Sequence, residues 1–432
     1  MKVRYSLFLG IFLCSLLVGC TLGAPSSENA PSPTLVSSPT PTAVIPTPTS
    51  LASHGLITLT LWVPDFLDPY SEDSPGGALF LEQIQAFSEL NPDVQVEVLV
   101  KKGSGPGGLY NLLSTAYTVA PSVLPDLIVL DSRDLQSAAE KELLQPLSAF
   151  DAAVARSFPF MKQESQFDAQ SYGVPFLTEV DHMVYTPKVS AASPVSWTAV
   201  LSGSYSMLFP VAPADSLADD ALLAMYLGSA GVVTDEQGNP LLERASLEEL
   251  YRFFDAMLET GLLDPVRSFG LGDATVCWEA YQQRLGMLSS VPAGVYWAED
   301  SRLGMPSWVP TRDGDPAALA HSWLFAVVAA EPERQDAATR LTLWLTAPER
   351  VADVSRAVKL LPASLEAVAL WPLSPDEAQF LDTFLMAAEA PLPPKVAQPV
   401  ARALQSGLDM LLKGEGTTPE EAATHALTVL RK

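Results

Sequence analysis

Aromatic and acidic side chains stand where two predicted strands end. Trp62 and Asp65 close the β-rich run ITLTLWVPD, and Asp131 ends the apolar run LPDLIVLD. Carboxylates accept hydrogen bonds from hydroxyl groups, and aromatic rings offer flat apolar faces. This combination can hold a hydroxyl-rich small molecule without covalent chemistry. The remaining aromatic candidates for such contacts are Trp278, Tyr281, Trp297 and Trp323.

Each candidate also has a purely structural explanation. A tryptophan is commonly packed in the core or at its rim. An acidic residue after a strand is commonly the N-cap of the next helix. Both explanations stay open for Trp62, Asp65 and Asp131 at this point.

Three common catalytic motifs are absent from the sequence. It contains no HExxH, no GxSxG and no GxxxxGK, and the glycines at 103–108 lack the Lys-Ser/Thr of a phosphate-binding loop. His182 and His321 have no second His or Cys at metal-site spacing, which favours structural roles. We therefore predict no enzyme activity, no metal and no cofactor. A glycoside hydrolase stays an alternative, because it needs only two suitably spaced carboxylates.

The N-terminus has the pattern of an export signal. Lys2 and Arg4 precede an apolar run from Tyr5 to Val18, which is too short to span a bilayer. The run ends in LVGC, which resembles a bacterial lipobox. The resemblance implies removal of a lipoprotein signal peptide, residues 1–19, and attachment of a diacylglycerol to Cys20 as a membrane anchor. A plain secretory signal is the alternative.

Residues 20–55 have the composition of a linker. They are rich in Pro, Ser and Thr, and Glu28 is their single charge. Such a segment cannot bury enough apolar surface to offset the entropy of ordering it. At about 3.1 Å per residue in polyproline geometry, it would reach on the order of 100 Å. We expect the body that follows to move above the membrane on this tether.

The body, from residue 57 to 432, is long enough for two domains. The full chain has 25 basic and 50 acidic residues and a net charge of −25. Nucleic acids and anionic lipid headgroups are bound by clustered Lys and Arg, so this balance argues against both as partners of the body. Without Cys14 of the signal and the lipidated Cys20, only Cys277 is left, so no disulfide forms within the mature chain.

Strand and helix patterns alternate along the first part of the body. Residues 57–63, 94–100 and 124–131 are predicted as strands. Residues 78–90 and 109–119 are predicted as helices. This β-α-β-α-β order predicts a mainly parallel sheet with helices on both sides. Ligands of such sheets gather at the carboxyl ends of the strands.

A series of segments follows a characteristic order along nearly the whole body. They are ITLTLWVPD, FLEQIQAFSELNPDVQVEVLV, LPDLIVLD, LLQPLSAF, YGVPFLTEVDHMVYTPK, PVSWTAVL, WLFAVVAAEPERQDAATRLTLWLTAPERV, LLPAS and GEGTTPEEAATHALTVLRK. Each is weak alone, but their order and spacing resemble the extracellular solute-binding proteins of ABC importers, the sugar-type family 1. In the last segment, Thr418 and Glu421 are spaced for a capping box.

This resemblance implies an α/β fold of the two-lobe, periplasmic-binding-protein-like type II, with a hinge and a ligand cleft between the lobes. We expect lobe one to comprise residues 57–176 and 320–364, and lobe two to comprise residues 177–319 and 365–432. Both lobes would contact the solute, which closes the hinge, and the closed form is the one that an importer recognises.

The resemblance also implies where the solute contacts lie. Trp62, Asp65 and Asp131 would face the cleft. Glu179 and Asp181 follow VPF, where the chain first crosses between the lobes, and this turn often contributes contacts in relatives.

Two stretches depart from the family pattern. Relatives often carry a Gly-Gly pair where this chain has His321, Ser322 and Trp323, which predicts a narrower pocket or an unusual specificity. The common YNK pattern is also missing, because Thr186 and Pro187 stand between Tyr185 and Lys188.

The predicted function is capture of a small solute, with a sugar or oligosaccharide favoured, and its delivery to the permease subunits of an ABC importer. The protein would be a monomer, anchored by its lipid on the extracytoplasmic face of the cell membrane. Two alternatives stay open: a receptor that presents its ligand to a membrane sensor without transport, and a membrane-tethered glycoside hydrolase.

Overall fold

The computed structural model describes residues 55–72, 74–188, 193–215, 217–414 and 416–432. The predicted signal peptide, Cys20 and the linker up to residue 54 lie outside these ranges. Residues His54–Lys432 form one unit. Within the described ranges, no helix has both the length and the apolar character needed to cross a membrane.

The strands carry the labels used below. They are β1 (Ile57–Pro64), β2 (Val94–Lys101), β3 (Leu127–Asp131), β4 (Gln166–Phe167), β5 (Gln170–Ser171), β6 (Gly173–Tyr185), β7 (Met207–Leu208), β8 (Leu288–Pro292), β9 (Met305–Ser307), β10 (Ala320–Val327) and β11 (Leu361–Pro362).

The helices are labelled in the same way. They are α1 (Pro75–Leu90), α2 (Leu109–Val119), α3 (Ser132–Glu140), α4 (Asp151–Val154), α5 (Pro159–Glu164), α6 (Trp197–Ser202), α7 (Asp220–Leu227), α8 (Arg244–Glu259), α9 (Pro265–Ser268), α10 (Ala274–Gln282), α11 (Ala293–Ala298), α12 (Pro332–Leu345), α13 (Pro348–Val358), α14 (Leu365–Val368), α15 (Pro375–Ala387), α16 (Pro394–Lys413) and α17 (Pro419–Leu430). Short 3₁₀ turns occur at Asp65–Leu67, Pro121–Val123 and Ser148–Phe150.

Several elements predicted from the sequence are confirmed. The strands expected at 57–63 and 94–100 are β1 and β2, and the helix expected at 109–119 is α2. The helix expected at 78–90 is α1, but it begins earlier, at Pro75. The reason is a cap, because the side chain of Ser74 accepts a hydrogen bond from Gly77 N.

Nine strands form one sheet, in the order β2, β1, β3, β10, β6, β8 and β7, with β9 and β11 also paired to β6. β1 is parallel to β2 and β3, and β7 is parallel to β8. β10 is antiparallel to both β3 and β6, and β6 is antiparallel to β8, β9 and β11. The expectation of a mainly parallel sheet is therefore wrong beyond the first three strands. The β-α-β-α-β pattern ends at β3, and beyond it β10, β6 and β8 alternate in direction.

The long strand β6 joins the two parts of this sheet. Its residues from Gly173 to Val180 pair with β10, and its residues from Asp181 to Tyr185 pair with β8. All thirteen residues are buried or half-buried. The chain therefore passes from one part of the sheet to the other without a break in its backbone ladder.

Two clusters of buried apolar side chains fill the body. The first surrounds β1, β3 and β10, and the second contains Tyr226, Phe254 and Leu404. In β6, Val184 belongs to the first cluster and Met183 to the second, because neighbouring strand residues face opposite ways. The first cluster also includes residues of α10, α11 and α15, so it extends across the predicted lobe boundary. The lobe boundaries themselves stay a prediction.

The C-terminal helix α17 begins with the predicted capping box, which is confirmed. Thr418 Oγ1 accepts a hydrogen bond from Glu421 N at 3.2 Å, and the Glu421 carboxylate accepts one from Thr418 N at 3.0 Å. The two bonds satisfy N–H groups that have no partner inside the helix. The helix then buries Ala422, Ala423 and Ala426 in the second cluster.

We expect Thr418→Ala to lower the free energy of unfolding by about 1 kcal/mol, because it removes an N-cap acceptor. Thr428→Ala is the matched control, since Thr428 is exposed on the same helix and its hydroxyl only donates to the carbonyl of Thr424. Urea unfolding followed by circular dichroism measures both. Equal effects of the two substitutions would contradict the role of the cap.

Candidate functional site

A cleft of about 950 Å³ opens at the carboxyl ends of β2 and β3. The first wall comes from segments that follow these two strands, and the second wall from the starts of α7, α10 and α16. The described residues of the walls lie within 104–111 and 131–134, and within 213–215, 217–223, 272–273 and 391–401, together with Leu319. Small-molecule sites have volumes of roughly 300–1,000 Å³, so the cleft is large enough for an oligosaccharide.

The charged side chains of this lining are mostly acidic. Among the described residues they are Arg133 and six aspartates, Asp131, Asp134, Asp215, Asp219, Asp220 and Asp273. Both walls carry aspartates, so a solute would meet hydrogen-bond acceptors from two sides. Tyr110 is the single aromatic residue in the described lining.

Asp131 and Arg133 form a tight ion pair in the first wall. Asp131 is 1% exposed and caps α3 by accepting a hydrogen bond from Arg133 N at 3.0 Å. Arg133 Nη2 lies 2.5 Å from Asp131 Oδ2, and Nε lies 3.0 Å from Oδ1. Burial raises the pKa of Asp131, but the charges of His321 and Arg133 outweigh it and the pKa is lowered. Asp131 is therefore an ionised N-cap that also lines the cleft.

Glu179, His321 and Trp323 form a polar group beside this ion pair. Trp323 Nε1 donates to Glu179 Oε1 at 2.6 Å, whereas His321 Nε2 lies 3.7 Å from the same oxygen, beyond hydrogen-bond distance. Burial raises the pKa of Glu179, but His321 and the bond from Trp323 outweigh it, and the pKa falls to about 2. Burial and Arg133 lower the pKa of His321, but Asp131 and Glu179 outweigh them and raise it.

The buried carboxyl of Glu164 connects the elements that carry the first wall. Glu164 accepts hydrogen bonds from the hydroxyls of Ser132 and Ser322, both at 2.6 Å. Ser132 Oγ in turn accepts a hydrogen bond from Ser322 N at 3.0 Å. This network ties α5, the start of α3 and β10 together next to Asp131. Burial raises the pKa of Glu164 to about 7, although the two serine hydroxyls oppose the shift.

Acidic residues cap two helices of the second wall. Asp219 accepts a hydrogen bond from Ala221 N at 2.7 Å at the start of α7, and Asp273 accepts one from Val276 N at 2.9 Å at the start of α10. Burial, and then the charge of Asp220, raise the pKa of Asp219 to about 7.

Asp181 of β6 lies next to this acidic group. Burial raises its pKa well above the usual range, and repulsion from Asp219, Asp220, Glu179 and Asp273 raises it further. Its carboxyl forms no hydrogen bond or ion pair with another residue of the described chain. The residue is half-buried, so the carboxyl has no protein counterion but is not sealed from solvent.

Trp62, Asp65 and Trp323 lie near the base of the first wall but outside the lining. Trp62 is buried in β1, with Lys101 Nζ 5.6 Å from its ring centre. Trp323 packs edge-on against Phe66, with ring centres 4.9 Å apart. Asp65 is exposed at the start of a 3₁₀ turn. Contact of these three side chains with a solute stays a prediction.

Trp278, Tyr281 and Trp297 are buried in the first apolar cluster. Trp278 stacks on Tyr281 with ring centres 5.5 Å apart, and its Nε1 donates to Glu299 Oε1 at 3.2 Å. Trp297 packs on Tyr296 and on His182, whose Nδ1 lies 2.9 Å from the carbonyl of Met183. None of the three belongs to the lining of the cleft, and their predicted solute contacts are untested.

The stretch that replaces YNK makes its own contacts. Thr186 Oγ1 lies 2.9 Å from Tyr281 Oη. Lys188 Nζ donates to the carbonyls of Gly203 and Ser204, and lies 4.7 Å from the ring centre of Tyr205. Both polar side chains are therefore held by partners within the second half of the body.

Sequence reasoning missed Arg133 and most of the second wall. Asp219 and Asp273 each precede a helix, as N-caps do, so the start of each helix was readable. The sequence gives no sign that these two helix starts meet Asp181 across some forty residues or more of chain. Their meeting is a property of the tertiary fold.

The chain is similar to a known protein family and to several solved structures. The model of the family of bacterial extracellular solute-binding proteins matches residues 82–380. Three solved structures each align with 87% of this chain. MalE from the phytopathogen Xanthomonas citri is 17% identical, with 97% of that chain covered and a TM-score of 0.68, and maltose-bound MalE3 of T. maritima is 16% identical, with 99% of that chain covered and a TM-score of 0.66. The cyclic alpha-maltosyl-1,6-maltose binding protein of Arthrobacter globiformis is 13% identical, with 98% of that chain covered and a TM-score of 0.66. Among curated proteins, none matches. The fold is thus α/β and two-lobed, of the periplasmic-binding-protein type, as predicted.

The raised pKa of Glu164 predicts that the stability of the protein depends on pH. The folded protein holds the Glu164 proton more tightly than the unfolded chain, because the pKa rises from 4.5 to about 7. The contribution of this group therefore decreases as the pH rises from 4.5 to 7, by about 2–3 kcal/mol. Glu164→Gln removes the titration, so its unfolding free energy should fall less between pH 4.5 and pH 8, as measured by urea unfolding. Glu82→Gln, at an exposed carboxyl of α1, is the control, and an unchanged fall in Glu164→Gln would refute the assignment.

Proposed function

The chain belongs to the bacterial extracellular solute-binding proteins, and on this premise we propose that it captures a sugar or oligosaccharide and delivers it to the permease subunits of an ABC importer. The observation that carries the proposal is the cleft of about 950 Å³ with hydrogen-bond acceptors on both walls. Sugar hydroxyls are donors to such acceptors. Two of the structures that the chain resembles are named as maltose-bound or maltosyl-sugar-binding proteins.

Hinge closure is the proposed mechanism of capture. Lobe one would comprise residues 57–176 and 320–364, and lobe two residues 177–319 and 365–432. Charges already interact across the cleft. Burial lowers the pKa of Arg133, but Asp131 and, from the second wall, Asp220 raise it more. A solute that contacts both walls would favour their approach, because it binds the closed state more tightly than the open one.

The location proposed for this activity is the extracytoplasmic face of the cell membrane. Cys20 would carry the lipid, and residues 20–55 would form the tether of a monomeric binding protein. The pattern of Lys2, Arg4 and LVGC in the sequence supports this proposal. A single acyl chain binds membranes only weakly, whereas the two chains of a diacylglycerol anchor a protein stably.

Solute capture is tested by thermal unfolding of the full-length protein in detergent with maltose, maltotriose and maltotetraose. A ligand at 100 times its dissociation constant should stabilise the protein by about 2.7 kcal/mol. Ala397→Trp places a large ring in the lining of the cleft and should weaken binding about tenfold or more, since overpacking costs roughly 1–3 kcal/mol. Ala78→Trp, on the exposed face of α1, is the matched control. Equal binding by both variants would place the solute elsewhere.

The lipid anchor is tested separately by Cys20→Ala. We expect this variant to leave the membrane fraction, because it lacks the nucleophile that accepts the diacylglycerol. Fractionation of cells and detergent phase partitioning measure the change. Cys14→Ala, within the predicted signal, is the control and should stay anchored. Retention of Cys20→Ala in the membrane fraction after a high-salt wash would contradict the anchor.

A further inference from the structure

We propose that the cleft selects a solute that carries amino groups as well as hydroxyl groups, that is, an aminated sugar rather than a neutral one. This inference rests on the proposed function and specifies the substrate class of the same cleft. It comes from an imbalance of charge between the two walls, from a buried histidine nitrogen without a hydrogen bond, and from the scarcity of aromatic residues in the lining.

The first wall balances most of its charges. Asp131 is paired with Arg133 at 2.5 Å, and Glu179 lies beside His321 at 3.7 Å. Asp134 is a third carboxyl of this wall, and burial raises its pKa to about 6. Such a wall can exchange hydrogen bonds with hydroxyl groups, and its carboxyls, unlike those of the second wall, stand beside basic side chains.

The second wall is acidic and has no counterion in the described lining. Asp219, Asp220 and Asp273 lie there with Asp181 close behind, and the described lining of this wall contains no Lys or Arg. Repulsion between these carboxylates is relieved when an ammonium group binds among them, whereas a neutral hydroxyl leaves the net charge unchanged. The same charges disfavour an anionic solute.

One buried nitrogen lacks a hydrogen bond beside the cleft. His321 is 7% exposed, and its Nε2 has no hydrogen-bond partner among the described residues, with Glu179 Oε1 3.7 Å away. It interacts electrostatically with Asp131 and Arg133, which line the cleft. Asp181 is half-buried, and its carboxyl forms no hydrogen bond or ion pair within the described chain. A buried polar atom without a hydrogen bond costs stability, so a solute hydroxyl that reaches His321 Nε2 would remove this cost, and a solute amine at Asp181 would supply the counterion that this carboxyl lacks.

The lining also lacks the stacking surfaces that suit a neutral sugar. Of its described residues, Tyr110 alone is aromatic, and the predicted platforms Trp278 and Trp297 are buried in the first apolar cluster. Affinity must therefore come mainly from polar contacts. A hydroxyl group and an ammonium group can both donate charge-assisted hydrogen bonds to these carboxylates, but the ammonium group also carries the opposite charge, which favours a cationic ligand over an uncharged one.

Protonation in the empty cleft agrees with this assignment. Burial and Asp220 raise the pKa of Asp219 to about 7, and burial and Asp131 raise the pKa of Asp134 to about 6, against the opposing charge of Arg133. The groups that face Asp219 are Asp181, Asp220, Asp273 and the buried Cys277 thiol. A proton bound to Asp219 reduces the repulsion among these carboxyls, as a bound ammonium group would.

The test compares sugars with and without amino groups, by isothermal titration of the full-length protein in detergent at pH 6.5. Three disaccharides share one backbone: the chitosan disaccharide carries amines, N,N′-diacetylchitobiose carries amides, and cellobiose carries hydroxyls. Kanamycin provides α-linked amino sugars, maltose a neutral α-linked sugar, and spermidine amines without a sugar. We expect at least one aminated sugar to bind about tenfold or more tightly than its neutral counterparts, as a gain of about 1.4 kcal/mol implies.

Each other outcome overturns the inference in a distinguishable way. Neutral sugars that bind as tightly as aminated ones refute the amine preference and leave the proposed function standing. Binding of spermidine alone refutes the sugar part. If no sugar binds at all, the proposed function fails together with this inference.

A variant ties the preference to the second wall. Asp219→Asn keeps an N-cap side chain for α7, and should weaken binding of the aminated sugar about tenfold or more through loss of one charge-assisted hydrogen bond. It should weaken binding of neutral sugars less, because the Asn carbonyl still accepts a hydrogen bond from a hydroxyl group and a neutral sugar loses no charge interaction. Asp382→Asn, at an exposed position of α15, is the matched control. If Asp219→Asn weakens aminated and neutral sugars equally, or no more than Asp382→Asn does, the inference is wrong.

Discussion

The main-chain hydrogen bonds of β6 fix the distance between Glu179, beside the first wall of the cleft, and Asp181, beside the second. Glu179 and Asp181 are two residues apart, so they lie on the same face of one strand. The first pairs with His321 of β10, and the second pairs with Pro292 of β8. The balanced group of the first wall and the acidic group of the second wall are therefore held next to each other by main-chain hydrogen bonds. Side chains alone could not maintain this arrangement against the repulsion of the carboxylates.

Helix capping helps to stabilise the cluster of carboxylates that line the cleft. Asp131, Asp219 and Asp273 each accept a hydrogen bond from the first turn of a helix, at the starts of α3, α7 and α10. The positive end of a helix dipole stabilises a negative charge there. The fold thus recovers at each helix start part of the free energy that the repulsion costs. The same residues remain available to a solute, because a carboxylate has lone pairs beyond the one that caps the helix.

The sequence predicts the local elements well and the cleft only in part. Period-two and helical spacing identify β1, β2 and α2, and the Thr418 capping box follows from residue types three apart. The strand β10 and the second half of β6 escape the parallel pattern, because direction in a sheet depends on how distant segments meet. For the same reason, Asp131 can be placed at the cleft from its position after a buried strand, whereas Asp219 and Asp273 cannot. The tryptophans show the opposite problem, since a large aromatic side chain fits a core as well as a ligand platform.

Charge complementarity also bears on how strongly a solute can drive closure. To move a hinge from 1% to 99% closed, a ligand must favour the closed state by about 5.5 kcal/mol. A hydrogen bond to a charged group contributes roughly 1.5–3 kcal/mol, so two to four such bonds that form only when both walls meet the solute are sufficient. Without a cation, approach of the two walls brings Asp134 towards Asp219 and Asp220, whereas Arg133 attracts Asp220. A solute that neutralises the second wall would therefore act twice, by adding bonds across the cleft and by reducing the repulsion among its carboxylates.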